Sequence, residues 1–137
     1  MPLLLFRVGQ TAYAAHLGVA HEILPLRPLT RLPGAPPYVR GLINVRGTIV
    51  TVLDLGSRLD STRAPLEEGS ILLVRYGAAQ RLAGVVVEEV ADVRALDFDE
   101  VDPAVASKEI VRGVGQLDGT PVIVLDLDAL VKQALLS

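Results

Sequence analysis

The sequence predicts an all-β fold of two similar halves, small barrels or a sandwich, with one helix at the C-terminus. Three observations carry that prediction. Short β-branched or leucine-rich runs follow one another, with turn residues between most of them. One stretch occurs twice: VRGLINVRGTIVTVLDL starts at Val39 and VRGVGQLDGTPVIVLDL at Val111, offset by 72 without gaps and identical at ten of 17 positions. Half of the 137 residues are hydrophobic but only 4% are aromatic, so the interior must be built from Leu, Val and Ile. A barrel of about 60 residues buries little surface by itself. Two barrels sharing an aliphatic seam escape that limit.

Strands are expected at 3–8, 11–16, 41–45, 48–53, 71–76, 81–87 and 120–125. Val8-Gly9-Gln10-Thr11 and Tyr76-Gly77-Ala78-Ala79 are turn candidates. Asp118-Gly119 is a strong hairpin signal, because both central residues of a type I′ turn take positive φ. Asp54 and Asp126 each follow a strand, where a carboxylate can cap a helix. Beyond Asp126, residues Leu127, Leu130, Val131, Ala134 and Leu135 form the stripe of a packing helix. Its counterpart beyond Asp54 is short, 55–59. A fainter echo precedes each copy of the repeat, Ala20-His21-Glu22-Ile23 and Val90-Ala91-Asp92-Val93, offset by 70. The chain therefore reads as one domain with halves at 1–60 and 70–137. The polar, proline-containing 61–69 (STRAPLEEG) is the connector.

Composition narrows the function. A net charge of −3 without any Lys/Arg run gives no attraction to phosphate backbones, so nucleic acid is not an expected partner. The absence of cysteine excludes disulfides, thiolate metal sites and cysteine nucleophiles. The opening MPLLLFRVGQ lacks the layout of a signal peptide, and no apolar run approaches the ~20 residues of a membrane span. The expectation is a cytoplasmic protein with no direct membrane insertion. A mean hydropathy of +0.44 implies a dry interior or apolar surface kept for partners.

The repeat also serves as an internal control. Positions that match between copies (Gly41, Gly47, Thr48, Val50, Val52, Leu53, Asp54, Leu55 and Arg40) are assigned to turn geometry, core and capping. The difference lies in the hairpin. The second copy reads Gln116-Leu117-Asp118-Gly119, the first Asn44-Val45-Arg46-Gly47. Asp-Gly is what a tight turn itself prefers. Arg46 is not needed for the turn and places five guanidinium donors at a hairpin tip, suited to an acidic or carbonyl-rich partner. Asn44 can brace the loop through side-chain bonds to backbone.

At this hairpin the sequence resembles the CheW family of chemotaxis coupling proteins. LPGAPPYVRGLINVRGTIVTVLDL carries the family's most characteristic stretch, with N-x-R-G inside V-x-G-L-x-N-x-R-G. FRVGQTAYAAHLGVAHEILPL resembles its opening strands, LAGVVVEEVADV its second-half strand pair, and GTPVIVLDLDAL its last strand and helix. The family often has Pro where Thr51 stands, Leu at Val45, and V-D at Val87-Glu88. The resemblance implies two SH3-like five-stranded barrels packed on a shared aliphatic core. It implies a scaffold joining the cytoplasmic helical tip of a chemoreceptor to the regulatory domain of a histidine autokinase, in membrane-associated arrays. By motif match, Glu22, Asn44 and Arg46 would border the receptor site, and Ala20 and Val93 would give it apolar contact. Gly41 lies in the stretch associated with kinase contact, although its mate Gly113 favours a role in the fold.

Rival chemistry is thin. Asp97, Asp99, Glu100 and Asp102 cluster in LDFDEVDP, but the glycine of a calcium loop is missing, and no metal is expected. His16 and His21 read as core, edge or surface residues. There is no P-loop, dinucleotide fingerprint, zinc spacing or nucleophile elbow, so neither catalysis nor a cofactor is expected. Two alternatives stand beside the scaffold. One is a small-ligand or metal sensor using the groove between barrels. The other is a divergent relative binding one partner in a motility, pilus or gene-control pathway.

Overall fold

The computed structural model describes residues 2–100 and 109–136. The strands are β1 (Pro2–Val8), β2 (Thr11–His16), β3 (Ala20–Pro25), β4 (Val39–Val45), β5 (Thr48–Asp54), β6 (Ser70–Tyr76), β7 (Arg81–Val87), β8 (Glu89–Ala95), β9 (Phe98–Glu100), β10 (Val111–Leu117) and β11 (Thr120–Leu125). Helix α1 (Leu55–Leu59) follows β5, and α2 (Leu127–Leu136) follows β11. Two sheets result, ordered β8-β1-β2-β11-β10-β9 and β3-β6-β7-β5-β4.

These orders reveal how the duplication folds. Pairing β1 with β6, β2 with β7, β3 with β8, β4 with β10 and β5 with β11 turns the five-stranded sheet into the first five strands of the other. Apart from β9, each sheet thus takes the opening hairpin of one half and the remaining three strands of the other. The halves exchange hairpins across a pseudo-twofold axis, and the parallel pairs β5–β7 and β11–β2 are the joins. Each copy of the duplication gives strands to both sheets. The expected pair of five-stranded barrels gains one short sixth strand, β9. Its mate in the other sheet is a single bridge, Thr30 to Leu42.

The exchange explains the continuous apolar runs. In β1, Leu3 and Leu5 point into one barrel, while Leu4, Phe6 and Val8 face the seam between barrels. In β6, Ile71 and Leu73 enter the other barrel, while Leu72 and Val74 join the same seam. A strand buried on both faces needs apolar residues at every position instead of alternate ones. The seam is completed by Leu55 of α1 and by Leu127, Leu130 and Val131 of α2. Phe6 and Tyr13 stack within it, with centroids 6.0 Å apart.

The matched residues prove to be joints. Arg40 and Arg112 each occupy a β-bulge, where the register slips between Val39 and Gly41 and between Val111 and Gly113. Each reaches the helix-capping aspartate at the end of the partner strand: Arg40 to Asp54 at 3.6 Å, Arg112 to Asp126 at 3.4 Å. Asp54 accepts from the Ser57 N–H at 2.9 Å and Asp126 from the Ala129 N–H at 3.0 Å. The fainter echo is a second pair of bulges, at His21 and Ala91. Glu88 accepts from the Gly9 N–H at 3.0 Å and pairs with Arg7. Those two contacts hold its carboxyl below the usual range, the Gly9 N–H foremost.

Candidate partner-binding site

The hairpin β4–β5 makes the turn anticipated for its mate. Arg46 and Gly47 take φ of 49° and 90°, against 52° and 81° for Asp118 and Gly119. A left-handed φ is readily tolerated by Asp and Asn but disfavoured for a long side chain. The first half thus keeps an arginine where its own duplicate uses a residue better suited to the bend. Asn44 braces the loop as its side chain suggests: Oδ1 accepts from the Gly47 N–H at 2.7 Å. Arg27 Nη2 donates to the Asn44 carbonyl at 3.0 Å.

The Arg46 guanidinium meets the carboxylate of Glu22 on β3 in a two-pronged contact, Nη1 to Oε2 at 3.3 Å and Nη2 to Oε1 closer. This pair is not internal. The Arg46 side chain is 65% exposed, and the contact leaves three of its five N–H donors free for another molecule. Hydrogen bonding to Arg46 lowers the Glu22 pKa, and the same contact raises that of Arg46. The ion pair fixes the direction of the guanidinium without hiding it.

Val93 lies elsewhere. It is exposed on β8, in a shallow groove of about 530 Å³. The same groove is lined by Ile23, its repeat mate at an offset of 70 and 48% exposed. The groove runs between β3 and β8, the outer strands of the two sheets. Glu22 and Ile23 are neighbours on β3 and point to opposite faces, so this strand carries the polar cluster on one side and borders the groove, which also includes Glu88, Glu89 and Asp92, on the other. Ile23 is not among the candidate site residues of the sequence, although the echo AHEI/VADV makes it the mate of Val93. Ile49 was also missed. It is 62% exposed and pairs directly with Asn44 across the hairpin.

Ala20 joins neither group. It packs against the seam and its carbonyl accepts from Arg75 Nη1 at 3.2 Å. Gly41 is buried in β4 with φ of 140°, and a Cβ there would stand 3.0 Å from the Thr30 carbonyl carbon and closer to its oxygen. Gly113 meets Asp99 in the same way. The histidines take local roles. His16 Nδ1 accepts from the Gly18 N–H at 2.9 Å, and His21 Nδ1 lies 2.8 Å from Arg75 Nη2. Asp97, Asp99 and Glu100 are exposed at the end of β8–β9, and Asp102 lies outside the described residues. Among the described residues no group of three His, Asp or Glu side chains is arranged to hold a metal ion. No described helix is long and apolar enough to cross a membrane.

Comparison with known proteins agrees with this architecture. The profile of the CheW-like domain matches residues 2–135. Chemotaxis protein CheW of Rhizobium meliloti is 29% identical, the match covering 93% of this chain and 84% of that protein. Chemotaxis protein CheW of Klebsiella aerogenes is 28% identical over 93% of this chain and 79% of that protein. The crystal structure of the scaffolding protein TtCheW from Thermoanaerobacter tengcongensis superposes with a TM-score of 0.81 at 26% identity, covering 94% of this chain and 90% of that one. A duplicated barrel pair, an arginine-bearing hairpin and a profile match along nearly the whole length converge on one assignment: the chain belongs to the CheW-like family.

Proposed function

We propose that this protein is a non-catalytic coupling scaffold of chemotaxis-type signalling, joining the cytoplasmic helical tip of a chemoreceptor to the regulatory domain of a histidine autokinase. One observation carries the reading. An exposed guanidinium stands at a hairpin tip, aimed by Glu22, in a turn that its own duplicate makes without it. The neighbouring groove supports it. Ile23 and Val93 offer an apolar floor between two strand edges, the kind of surface an amphipathic helix covers. Glu22, Asn44, Arg46, Ile23 and Val93 form the receptor side. The β4 stretch around Gly41 serves the kinase side, with Gly41 itself holding the backbone. Partners draw the protein from the cytoplasm to receptor arrays, and signals pass by changing how those partners sit.

Charge exchange tests this site. Arg46→Glu should abolish capture of a receptor signalling fragment while the melting temperature stays within about 2 °C, as for a surface change. Combining Arg46→Glu with Glu22→Arg restores an ion pair of opposite sense. If Arg46 grips a partner, the double variant remains unable to bind. Recovery of binding in the double variant would show that the pair only braces the hairpin.

A further inference from the structure

The connector 61–69 plugs a barrel. Leu66 packs against the interior of the five-stranded barrel, whose core includes Val52 and Ile71. Its backbone is gripped at both polar ends. The Leu66 N–H donates to Asp54 Oδ2 at 2.8 Å, and its carbonyl accepts from Arg40 Nη1. An apolar side chain fills the barrel end while a carboxylate and a guanidinium read the peptide on either side of it.

The pseudo-symmetric place in the other barrel is built from the same parts. Arg112 and Asp126 stand 3.4 Å apart, as Arg40 and Asp54 do at 3.6 Å. Leu3 and Val124 correspond to Ile71 and Val52. Here, with Phe98 and Leu127, they line an open pocket of about 240 Å³. Asp126 Oδ1 is engaged by the Ala129 N–H, as Asp54 Oδ1 is by Ser57. Among the described residues, Asp126 Oδ2 meets only Arg112, and no described segment takes the position that Leu66 takes across the axis.

We propose that this pocket docks an extended peptide segment of a partner protein, inserting a leucine-sized side chain between Leu3, Val124 and Phe98. The segment's N–H pairs with Asp126 and its carbonyl with Arg112. The charge pattern selects the occupant. A carboxylate and a guanidinium side by side match the N–H and C=O of one residue, and a residue inside a helix has both groups already committed. Leu66 displays the bound geometry within the same molecule. This site is separate from the Arg46 cluster and stands independently of it.

The probe is the capped nonapeptide STRAPLEEG, identical to residues 61–69, titrated into the isotope-labelled full chain. Saturable NMR shifts should centre on Leu3, Phe98, Arg112 and 124–127. Replacing the peptide's leucine by alanine should weaken binding at least tenfold. Arg112→Ala in the protein should weaken it about tenfold, the loss of one charged hydrogen bond. Arg112 is 57% exposed, so the fold should survive the change. The peptide substitution leaves the protein intact and keeps the test decisive if it does not. The proposal is overturned by no saturable shift at about 2 mM peptide, an affinity too weak to matter. Shifts centred on the Ile23–Val93 groove overturn it, as does binding indifferent to the peptide's leucine. The same shifts on concentrating the chain alone would make a second copy the occupant and overturn it too.

Discussion

Gly41 separates a role in the fold from a role in contact, and Gly41→Ala decides between them. The residue has φ of 140°, a region that alanine avoids, and forcing it there costs about 1–3 kcal/mol. A Cβ would also press on Thr30, whose two backbone bonds with Leu42, at 2.8 and 2.9 Å, close the free edge of β4. Losing both adds about 1 kcal/mol each. The sum is about 3–5 kcal/mol, which in a chain of this size lowers the melting temperature by about 10–15 °C. Gly113→Ala should cost less, about 2 kcal/mol, because Gly113 lies outside the positive-φ region and the change strains only its pairing with β9. Thermal and urea unfolding of the three proteins measure both differences. Kinase-domain binding of Gly41→Ala, measured well below its melting temperature, should be retained. A Gly41→Ala protein that melts within about 2 °C of the parent and yet loses kinase binding would refute the reasoning.

Further expectations follow from the joints and from the ion pair. Asp54→Ala should destabilise by about 3–5 kcal/mol, because it orphans Ser57 N–H and Leu66 N–H and removes the ion-pair partner of Arg40; Asp126→Ala, which orphans one cap and leaves a half-exposed arginine unpaired, should cost about 1 kcal/mol by urea unfolding. The Glu22 carboxyl should titrate below its ordinary 4.5, because Arg46 donates to its charged form. A depressed folded-state pKa contributes stability that is present above the unfolded value and lost as pH falls through the folded one, so the pair weakens only in acid. NMR titration should show the Glu22 pKa rising toward 4.5 in Arg46→Ala. An unchanged value would contradict the contact.

The legible parts of the fold are those where apolar residues or turn chemistry speak locally. Residues 11–16, 81–87 and 120–125 are strands with the bounds their composition suggests, and 55–59 is the short helix. β3 and β8 were not set out as strands, because outer strands bury so little: β8 is exposed at six of its seven positions and leaves no alternation to read. β10, with Gly113 and Gly115, has low strand propensity and is secured by pairing on both sides. The hairpin exchange was invisible, since the repeat states that the halves are alike but not which hairpin each sheet takes. At the site, comparing the copies exposed Arg46 and Asn44. It could not expose Ile23, because comparing copies marks differences, and Ile23 and Val93 are alike in character. They match because the groove lies between equivalent strands, so shared character there marks a shared surface.

The central claim is that one molecule of this chain holds receptor and kinase at once. Co-sedimentation of the kinase regulatory domain with vesicles bearing a receptor signalling fragment tests it directly. The kinase domain should pellet only when this chain is present, and both Arg46→Glu and Val93→Asp should release it together with the chain. A chain that pellets with receptor but leaves the kinase domain in the supernatant, or kinase recruitment that survives both substitutions, would contradict the account.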